Sequence, residues 1–261
     1  MSLQGRVALI TGASSGIGRA VSLQLAAQGV RVGLVARRRD ALEELQSEII
    51  AAGGQAASAI ADVRQANAVQ QAALQISAQL GPVDLLVASA GYAPTEEAIE
   101  PLNPAEISQI MAVNYLGVVH SVAAVLPEML KRPGGQIAAI SSLASYRGLP
   151  GNCGYSASKA AVNLFLESLR VELQGRGVCI STICPGYVDT PMTAGNGGSM
   201  PFLLSAAAAA RRIVWAIERR KTVYNFPWQT ALLIKLARLC PDWLVARLAP
   251  REQASQPPAK L

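Results

Sequence analysis

The sequence predicts an α/β fold, in which a doubly wound parallel sheet of about seven strands lies between two layers of helices. Short apolar runs typical of buried parallel strands alternate along the chain with stretches of helical periodicity. A length of 261 residues with 51% hydrophobic content is enough for one such domain with a sizeable core. We predict strands at about residues 6–10, 32–35, 83–87, 136–140, 178–183 and 222–226.

The first predicted strand runs directly into a glycine-rich turn and then into a helical pattern. The turn has Gly-x-x-x-Gly-x-Gly spacing. Glycines there permit a tight turn, let the backbone approach a pyrophosphate and let the helix pack close to the strand. The free N–H groups of the helix start then face the anion. The turn predicts a dinucleotide site with contacts from Gly12, Ser14, Ser15, Gly16, Ile17 and Gly18.

Tyr155 and Lys159 lie one helical turn apart, and Ser142 precedes the tyrosine by thirteen residues. Side chains at i and i+4 share a helix face, so the ammonium of Lys159 is expected beside the phenol. A nearby cation favours the phenolate and lowers a phenol pKa from about 10 towards the working range. The spacing is also typical of an amphipathic helix with a buried Tyr and an exposed Lys. The glycine turn favours the catalytic interpretation.

Together, in this order and at this separation, these motifs resemble those of the short-chain dehydrogenase/reductase superfamily over about residues 5–226. The resemblance implies a Rossmann-type fold, hydride transfer between a nicotinamide cofactor and a carbonyl or alcohol, and at least a dimer. It places Asp62 and Val63 at the adenine ring. The further cofactor contacts that it implies are Ala90, Gly91, Tyr155, Lys159, Pro185, Gly186, Val188 and Thr190.

The same resemblance implies a role for each of four catalytic residues. Tyr155 is the general acid in reduction and the general base in oxidation, while Lys159 lowers its pKa and binds the nicotinamide ribose. Ser142 orients the substrate carbonyl and stabilises charge on its oxygen; only the spacing selects it over Ser141. Asn114 holds a water that links Lys159 to solvent, or simply bonds strand backbone.

One departure from the family pattern precedes Ala90. Two Asn residues usually stand there, whereas this chain has Ala88 and Ser89. Those Asn side chains brace the central strand, so we expect altered local hydrogen bonding rather than lost catalysis.

The end of the second strand favours NADP(H). A site that selects NAD commonly has a carboxylate there for the ribose 2′-hydroxyl, but Ala36 occupies the position. Arg37 and Arg38 follow, and a guanidinium can clamp a 2′-phosphate and stack on adenine. The alternative is that these arginines only solvate a helix start. Asp40 is expected to cap that helix.

The C-terminal quarter carries the positive charge of the chain. Residues 205–261 have 10 Lys and Arg against 3 Asp and Glu, whereas residues 1–204 have 13 against 14. Residues 190–204 form a glycine-rich loop, predicted to be a lid over the substrate. Amphipathic helices predicted at 227–249 have a wide apolar face with basic edges. They pack on the sheet or a partner subunit, lie on an anionic membrane surface, or roof a pocket for an apolar substrate.

These features predict an NADP(H)-dependent oxidoreductase that interconverts a ketone or aldehyde and an alcohol on a hydrophobic, lipid-, steroid- or retinoid-like substrate. The alternative is an NADPH-binding redox sensor without turnover, which the intact Tyr155 and Lys159 disfavour. We expect a single domain over 1–249 with a disordered tail at 250–261, and a homodimer or homotetramer.

Other partners and locations are constrained by composition. We expect no metal and no nucleic-acid partner. A first strand that begins near residue 6 leaves no room for a secretory signal, and four cysteines without a Cys-x-x-Cys pair fit a cytoplasmic protein. The lone His120 is expected to pack in the core rather than to take part in catalysis.

Overall fold

The computed structural model describes residues 2–94, 102–148, 150–195 and 200–248. Within these ranges, the strands are β1 (Val7–Thr11), β2 (Arg31–Ala36), β3 (Ala56–Ile60), β4 (Leu85–Ala88), β5 (Gln136–Ile140), β6 (Cys179–Pro185), β7 (Val188–Asp189), β8 (Leu204–Ser205) and β9 (Val223–Phe226). Seven of them form one parallel sheet in the order β3-β2-β1-β4-β5-β6-β9, and β7 pairs separately with β8. The predicted doubly wound parallel sheet is confirmed.

Helices cover both faces of the sheet. They are α1 (Gly16–Ala26), α2 (Arg39–Ala51), α3 (Ala66–Leu80), α4 (Pro104–Met111), α5 (Gly117–Met129), α6 (Cys153–Glu172), α7 (Ala206–Glu218), α8 (Trp228–Leu239) and α9 (Asp242–Leu248). A π-helical segment (Ala112–Leu116) joins α4 to α5, and a 3₁₀ turn (Leu143–Tyr146) follows β5.

Alternate residues of each strand face the two helical layers. In β1, Ala8 and Ile10 pack with α1, α2 and α7, whereas Val7 and Leu9 pack with α3, α5 and α6. All four are fully buried, so the sheet has a core on each side. The strand order reverses where β1 lies beside β4, and parallel sheets bind ligands at the carboxyl ends of such a pair.

One helix in the described part of the chain, from Pro104 to Met129, is long and apolar enough to cross a membrane, with a mean hydropathy of 1.6. In this fold it is a core helix, because α5 buries Val118, Val122 and Val125 against the sheet.

The C-terminal helix α8 lies over the 3₁₀ turn that follows β5. Its residues Ala231 and Ile234 pack against Leu143 of that turn and against Cys184 of β6. The predicted packing on the body of the fold is therefore present along one face of this helix.

Arg147 fixes the far end of α8. Its guanidinium donates to the main-chain carbonyls of Arg238 (3.4 Å) and Cys240 (2.9 Å) and pairs with the carboxylate of Asp242 (2.7 Å). A cation at these last carbonyls satisfies acceptors that a helix end leaves open.

Two expectations need comment. Asp40 does not cap α2: the helix begins at Arg39, Arg38 is the N-cap without a side-chain capping bond, and Asp40 lies inside the first turn. There its carboxylate complements the positive end of the helix dipole. Residues 196–199 of the predicted lid and the predicted tail at 250–261 lie outside the described residues, as does residue 249 at the predicted domain boundary.

Candidate active site

The glycine turn brings β1, α1 and the end of β4 into close contact. Gly12 has φ +70°, and a Cβ atom there would lie 2.7 Å from Cα of Ala90. A Cβ on Gly18 would collide with the carbonyl oxygen of Gly12, and Gly16 (φ +54°) faces the side chain of Thr190. The turn therefore forms a cradle that larger residues would fill.

The start of α1 offers free main-chain N–H groups to this cradle. Ser15 is the N-cap residue, its side chain makes no capping bond, and the first helical turn carries no acidic residue. Ile17 packs against the core and fixes the helix start. Because unpaired N–H groups and the helix dipole favour an anion, the cradle fits the pyrophosphate of a dinucleotide.

Basic side chains line the rim of the cradle at the end of β2. Arg38 donates to the carbonyl (3.1 Å) and hydroxyl (3.2 Å) oxygens of Ser14, and Arg37 is exposed beside it. The pKa of Asp62 is lowered, chiefly by a hydrogen bond from Arg64 and to a smaller extent by the charge of Arg37. The arginines thus face the edge where an adenosine would lie.

The loop after β3 is fixed by contacts that the sequence did not suggest. The carboxylate of Asp62 pairs with Arg64 at 2.6 Å, so the predicted adenine ligand already has a charged partner. Val63 is buried, and its carbonyl oxygen lies 2.8 Å from Nδ1 of His120, which needs a proton on Nδ1. The half-buried His120 therefore links α5 to this loop through a hydrogen bond, in addition to packing there.

The loop after β6 completes the rim. Pro185 ends the strand, and the N–H of Gly186 donates to the carbonyl of Phe226 at 2.7 Å. Val188 is buried in β7, and its carbonyl accepts a hydrogen bond from Thr193 at 2.7 Å. With Thr190 against the glycine turn, the predicted nicotinamide contacts lie on the same side of the sheet as the cradle.

Tyr155 of α6 and Ser142 after β5 are joined by a side-chain hydrogen bond. Ser142 is also the N-cap of the 3₁₀ turn and accepts from the N–H of Ala144 at 3.1 Å, which fixes its hydroxyl. Burial raises the pKa of the Tyr155 phenol above 10, and the bond with Ser142 opposes this shift. Desolvation of the phenolate is thus the largest effect on this pKa, and the expected lowering by Lys159 stays a prediction.

Lys159 is buried, with 4% of its surface exposed. Its ammonium donates to the carbonyl of Ile140 at 2.9 Å and lies 5.8 Å from the centre of the Tyr155 ring. Burial lowers the pKa of Lys159 to about 8. A buried lysine beside the phenol excludes the alternative of an amphipathic helix with an exposed Lys.

Asn114 lies fully buried in the π-helical segment. Its Oδ1 accepts from the N–H of Tyr92 at 2.7 Å, and its Nδ2 donates to the carbonyl of Tyr92 (2.9 Å) and to the hydroxyl of Ser158 (3.0 Å). Ser158 in turn donates to the carbonyl of Tyr155 at 2.7 Å. Asn114 therefore bonds the backbone beyond β4, as one of the two predicted alternatives states.

Gly91 marks the point where these groups converge. A Cβ atom there would lie 3.6 Å from Oδ1 of Asn114, 3.8 Å from Nζ of Lys159 and 3.5 Å from Cε of Met192, in the first part of the predicted lid. Asn114, Lys159 and Met192 of the predicted lid therefore lie around Gly91, just beyond the carboxyl end of β4.

The expected change in hydrogen bonding near Ala88 stays a prediction, and the structure shows which polar groups lie beside this position. Ala88 lies in register with Thr11 of β1 and offers no side-chain partner to it. The hydroxyls of Thr11 and Ser89 are buried, and neither has a hydrogen-bond partner among the described residues. Both polar atoms lie within the segments that support the cradle.

Two residues that fix the surroundings of this site were missed from the sequence. Ser158 had a usable signal, because it lies at i+3 from Tyr155 and directly precedes Lys159. Arg147 had none, since its bonding partners lie 91 to 95 residues further along the chain. The site as a whole can transfer a proton at the Tyr155 oxygen beside a cradle for a dinucleotide.

Comparison with known proteins gives a consistent picture. A family model described as short chain dehydrogenase matches residues 6–199. An uncharacterised oxidoreductase of Myxococcus xanthus is 40% identical over 94% of this chain and 97% of its own. A fatty acyl-CoA reductase of Acinetobacter baylyi is 38% identical over 84% of this chain and 75% of its own.

Solved structures agree with the fold. A short chain dehydrogenase/reductase from Burkholderia phymatum, in complex with NAD, is 25% identical with a TM-score of 0.84 over 90% of this chain and 94% of that one. A single-residue variant of actinorhodin polyketide ketoreductase with NADPH is 29% identical with a TM-score of 0.78 over 85% of this chain and 95% of that one. By its matched family model and its relatives, this chain belongs to the short chain dehydrogenase family of oxidoreductases.

Proposed function

We propose that this protein is an NADP(H)-dependent oxidoreductase that interconverts a carbonyl and an alcohol on a hydrophobic substrate. The observation that carries the proposal is the meeting of Ser142, Tyr155 and Lys159 at the carboxyl end of the sheet. Their hydroxyl, phenol and ammonium groups are held together by the Ser142–Tyr155 bond and the 5.8 Å approach of Lys159 to the ring. These groups lie at the same carboxyl edge of the sheet as the dinucleotide cradle.

The bound nicotinamide would supply or accept the hydride, and the residues of this chain manage the proton. Tyr155 gives its phenolic proton to the carbonyl oxygen in reduction, because its raised pKa keeps the phenol protonated at neutral pH. The Ser142 hydroxyl, fixed by the N–H of Ala144, hydrogen-bonds the same oxygen and stabilises its developing charge. Lys159, with a pKa of about 8, is largely cationic at neutral pH and favours loss of that proton.

Asn114 holds the end of β4 in this proposal. Its amide bonds both main-chain groups of Tyr92 and the hydroxyl of Ser158, so it joins the β4 loop to α6. π-Helical segments such as the one around Asn114 are frequent at functional sites. The water-linked relay from Lys159 to solvent remains a prediction from the resemblance.

The preference for NADP(H) rests on the rim of the cradle. Ala36 at the end of β2 supplies no carboxylate to a ribose 2′-hydroxyl, and the exposed Arg37 and the Ser14-bound Arg38 supply positive charge. The named ligands of structural neighbours include both NADPH and NAD, so selectivity must be tested on this chain.

The proposed hydrophobic substrate is supported by apolar surface near the site and by one relative. Met192 of the lid reaches Gly91, and α8 packs against the turn that begins after Ser142. The relative named as a fatty acyl-CoA reductase covers most of this chain.

We also propose that the protein is at least a dimer. Leu116, Leu164 and Val171 are 42%, 67% and 70% exposed on the helices that carry Asn114 and Tyr155. Large apolar side chains grouped on two neighbouring helices are typical of a contact surface. Sedimentation of the native chain against a Leu164→Glu variant tests the assignment, since a monomeric variant is the expected result.

The reaction is tested by following NADPH absorbance with ketones and aldehydes from small and polar to long-chain and steroidal. We expect higher kcat/KM for the apolar members and a loss of about a hundredfold or more in Tyr155→Phe. Tyr224→Phe is the matched control, since it removes a phenol from β9 outside the site. Tight NADPH binding without turnover on any compound would instead favour the redox sensor.

Cofactor selectivity is tested by Arg37→Ala, with Arg39→Ala as the control. Arg39 lies two residues after Arg37 and is also exposed, and it pairs with Glu43 at 3.5 Å on the outer side of α2. We expect the Arg37 variant to lose about 10- to 100-fold in NADPH affinity with little change for NADH. Equal effects of both variants would show that Arg37 only contributes general positive charge.

A further inference from the structure

The outer side of the two C-terminal helices is an exposed apolar surface. Six large side chains there each leave at least half of their surface in solvent, and we refer to them together as the Trp–Leu face: Trp228, Leu232, Leu233, Leu236, Leu239 and Trp243. Along α8 the positions 228, 232, 236 and 239 form one stripe of the helix. An exposed apolar stripe of this kind is typical of an interaction site.

The Trp–Leu face is presented by a fixed helix. The opposite side of α8 is held by Ala231 and Ile234 on the 3₁₀ turn, and Arg147 holds its last carbonyls. Packing on the fold therefore accounts for one side of α8 and leaves the Trp–Leu face uncovered within the described chain.

The charge around this face is strongly positive. From Arg219 to Leu248 the sequence has six Lys and Arg residues and one acidic residue, Asp242. Asp242 is paired with Arg147, whereas the exposed Lys235, Arg238 and Arg247 form no ion pair with a described residue. The surface therefore combines apolar side chains with unneutralised cations.

We propose that the Trp–Leu face docks on an anionic lipid bilayer, with α8 lying in the plane of the interface. Tryptophans near both ends of the face suit the headgroup level, and cations beside it attract acidic lipids. At 12 residues, α8 is too short to span a bilayer, which needs about 20 apolar residues.

A second copy of this chain fits the same face less well. Two-fold contacts are self-complementary, so antiparallel packing about the middle of the stripe would bring Lys235 opposite its own copy in the second chain. Like charges placed opposite each other in an apolar contact oppose association. An anionic membrane brings no second cation opposite Lys235. The inference does not depend on the proposed reaction.

Co-sedimentation with vesicles tests this docking on the full chain. Vesicles of phosphatidylcholine with about 30% phosphatidylglycerol are compared with phosphatidylcholine alone. We expect binding to the anionic vesicles, a blue shift of tryptophan emission, and weaker binding as salt screens the cations. Leu236→Ser/Leu239→Ser should reduce the bound fraction about tenfold, and Lys235→Glu/Arg238→Glu should abolish the preference for anionic lipid.

Ile50→Ser/Leu74→Ser is the matched control, since Ile50 and Leu74 are 52% and 55% exposed on α2 and α3. Unchanged vesicle binding by this control supports docking through the Trp–Leu face. A loss of binding equal to that of the Leu236→Ser/Leu239→Ser variant overturns the proposal. Light scattering on the same proteins separates the competing occupant. The proposal is overturned if the native chain does not bind anionic vesicles and the Leu236→Ser/Leu239→Ser variant has a lower oligomeric state. That result would assign the Trp–Leu face to a contact with a partner subunit.

Discussion

Replacing the buried lysine of the candidate site should make the protein more stable. Lys159 is 4% exposed, and burial lowers its pKa from 10.5 to about 8. A folded-state pKa below the unfolded value means that protonated Lys159 destabilises the fold. This penalty is fully present below pH 8 and disappears as the pH rises towards 10.5. Lys159→Met keeps the length of the side chain and removes the charge.

The expected gain follows from these values. The lowering of the pKa from 10.5 to about 8 corresponds to about 3 kcal/mol at pH 7. The variant loses the bond from Nζ to the carbonyl of Ile140, which costs about 1 kcal/mol. Lys159→Met should therefore gain about 2 kcal/mol in unfolding free energy at pH 7, while activity is lost.

Urea unfolding at fixed protein concentration measures this gain. The advantage over the native chain should be largest at pH 7 and shrink by about 2 kcal/mol by pH 9.5, as the native Lys159 loses its proton. Lys131→Met is the control, because Lys131 is exposed and pairs with Glu128 on the surface. A variant that is destabilised at pH 7, or whose advantage is independent of pH, would refute the argument that burial of the ammonium controls this site.

Three further predictions concern the cradle and the proton chemistry. Gly12→Ala should cost about 2–4 kcal/mol in urea unfolding, because its Cβ meets Ala90 at 2.7 Å, whereas Gly53→Ala, with φ +83° and open space, should cost about 1 kcal/mol. Thr11→Val should raise the unfolding free energy by about 1 kcal/mol, since the buried hydroxyl has no partner among the described residues; a loss would reveal one. In a pH profile of carbonyl reduction, kcat/KM should fall above pH 8, as Lys159 loses its proton, and a profile level to about pH 10 would show that its charge is not needed.

The parts of the fold that could be predicted from the sequence depend on local signals. An apolar run followed by glycines at the spacing of Gly12, Gly16 and Gly18 constrains a strand, a turn and a helix together, and the structure has all three. The i, i+4 relation of Tyr155 and Lys159 likewise follows from helix geometry alone. Such relations need no knowledge of the rest of the chain.

What could not be predicted depends on packing between distant segments. The sequence places Lys159 beside a phenol, but whether its ammonium is buried depends on how β5 and α6 meet, and desolvation decides the direction of both pKa shifts. The start of α2 at Arg39, rather than after Asp40, is a difference of two residues that local preference does not resolve. Arg147 finds its partners on α8 and α9, which only the folded chain brings near.

The two pKa shifts together bear on the direction of the reaction. Burial raises the pKa of Tyr155 and lowers that of Lys159, so each shift favours the neutral form of its group. A phenolate–ammonium pair is therefore unfavourable in the protein alone, and the phenol holds its proton at neutral pH. In the proposed reduction, this protonated phenol is the proton donor. In the proposed mechanism, oxidation needs the phenolate, so it would require positive charge near Tyr155, which a bound oxidised nicotinamide would carry. We therefore expect the protein without cofactor to hold Tyr155 in the protonated form that the proposed carbonyl reduction uses.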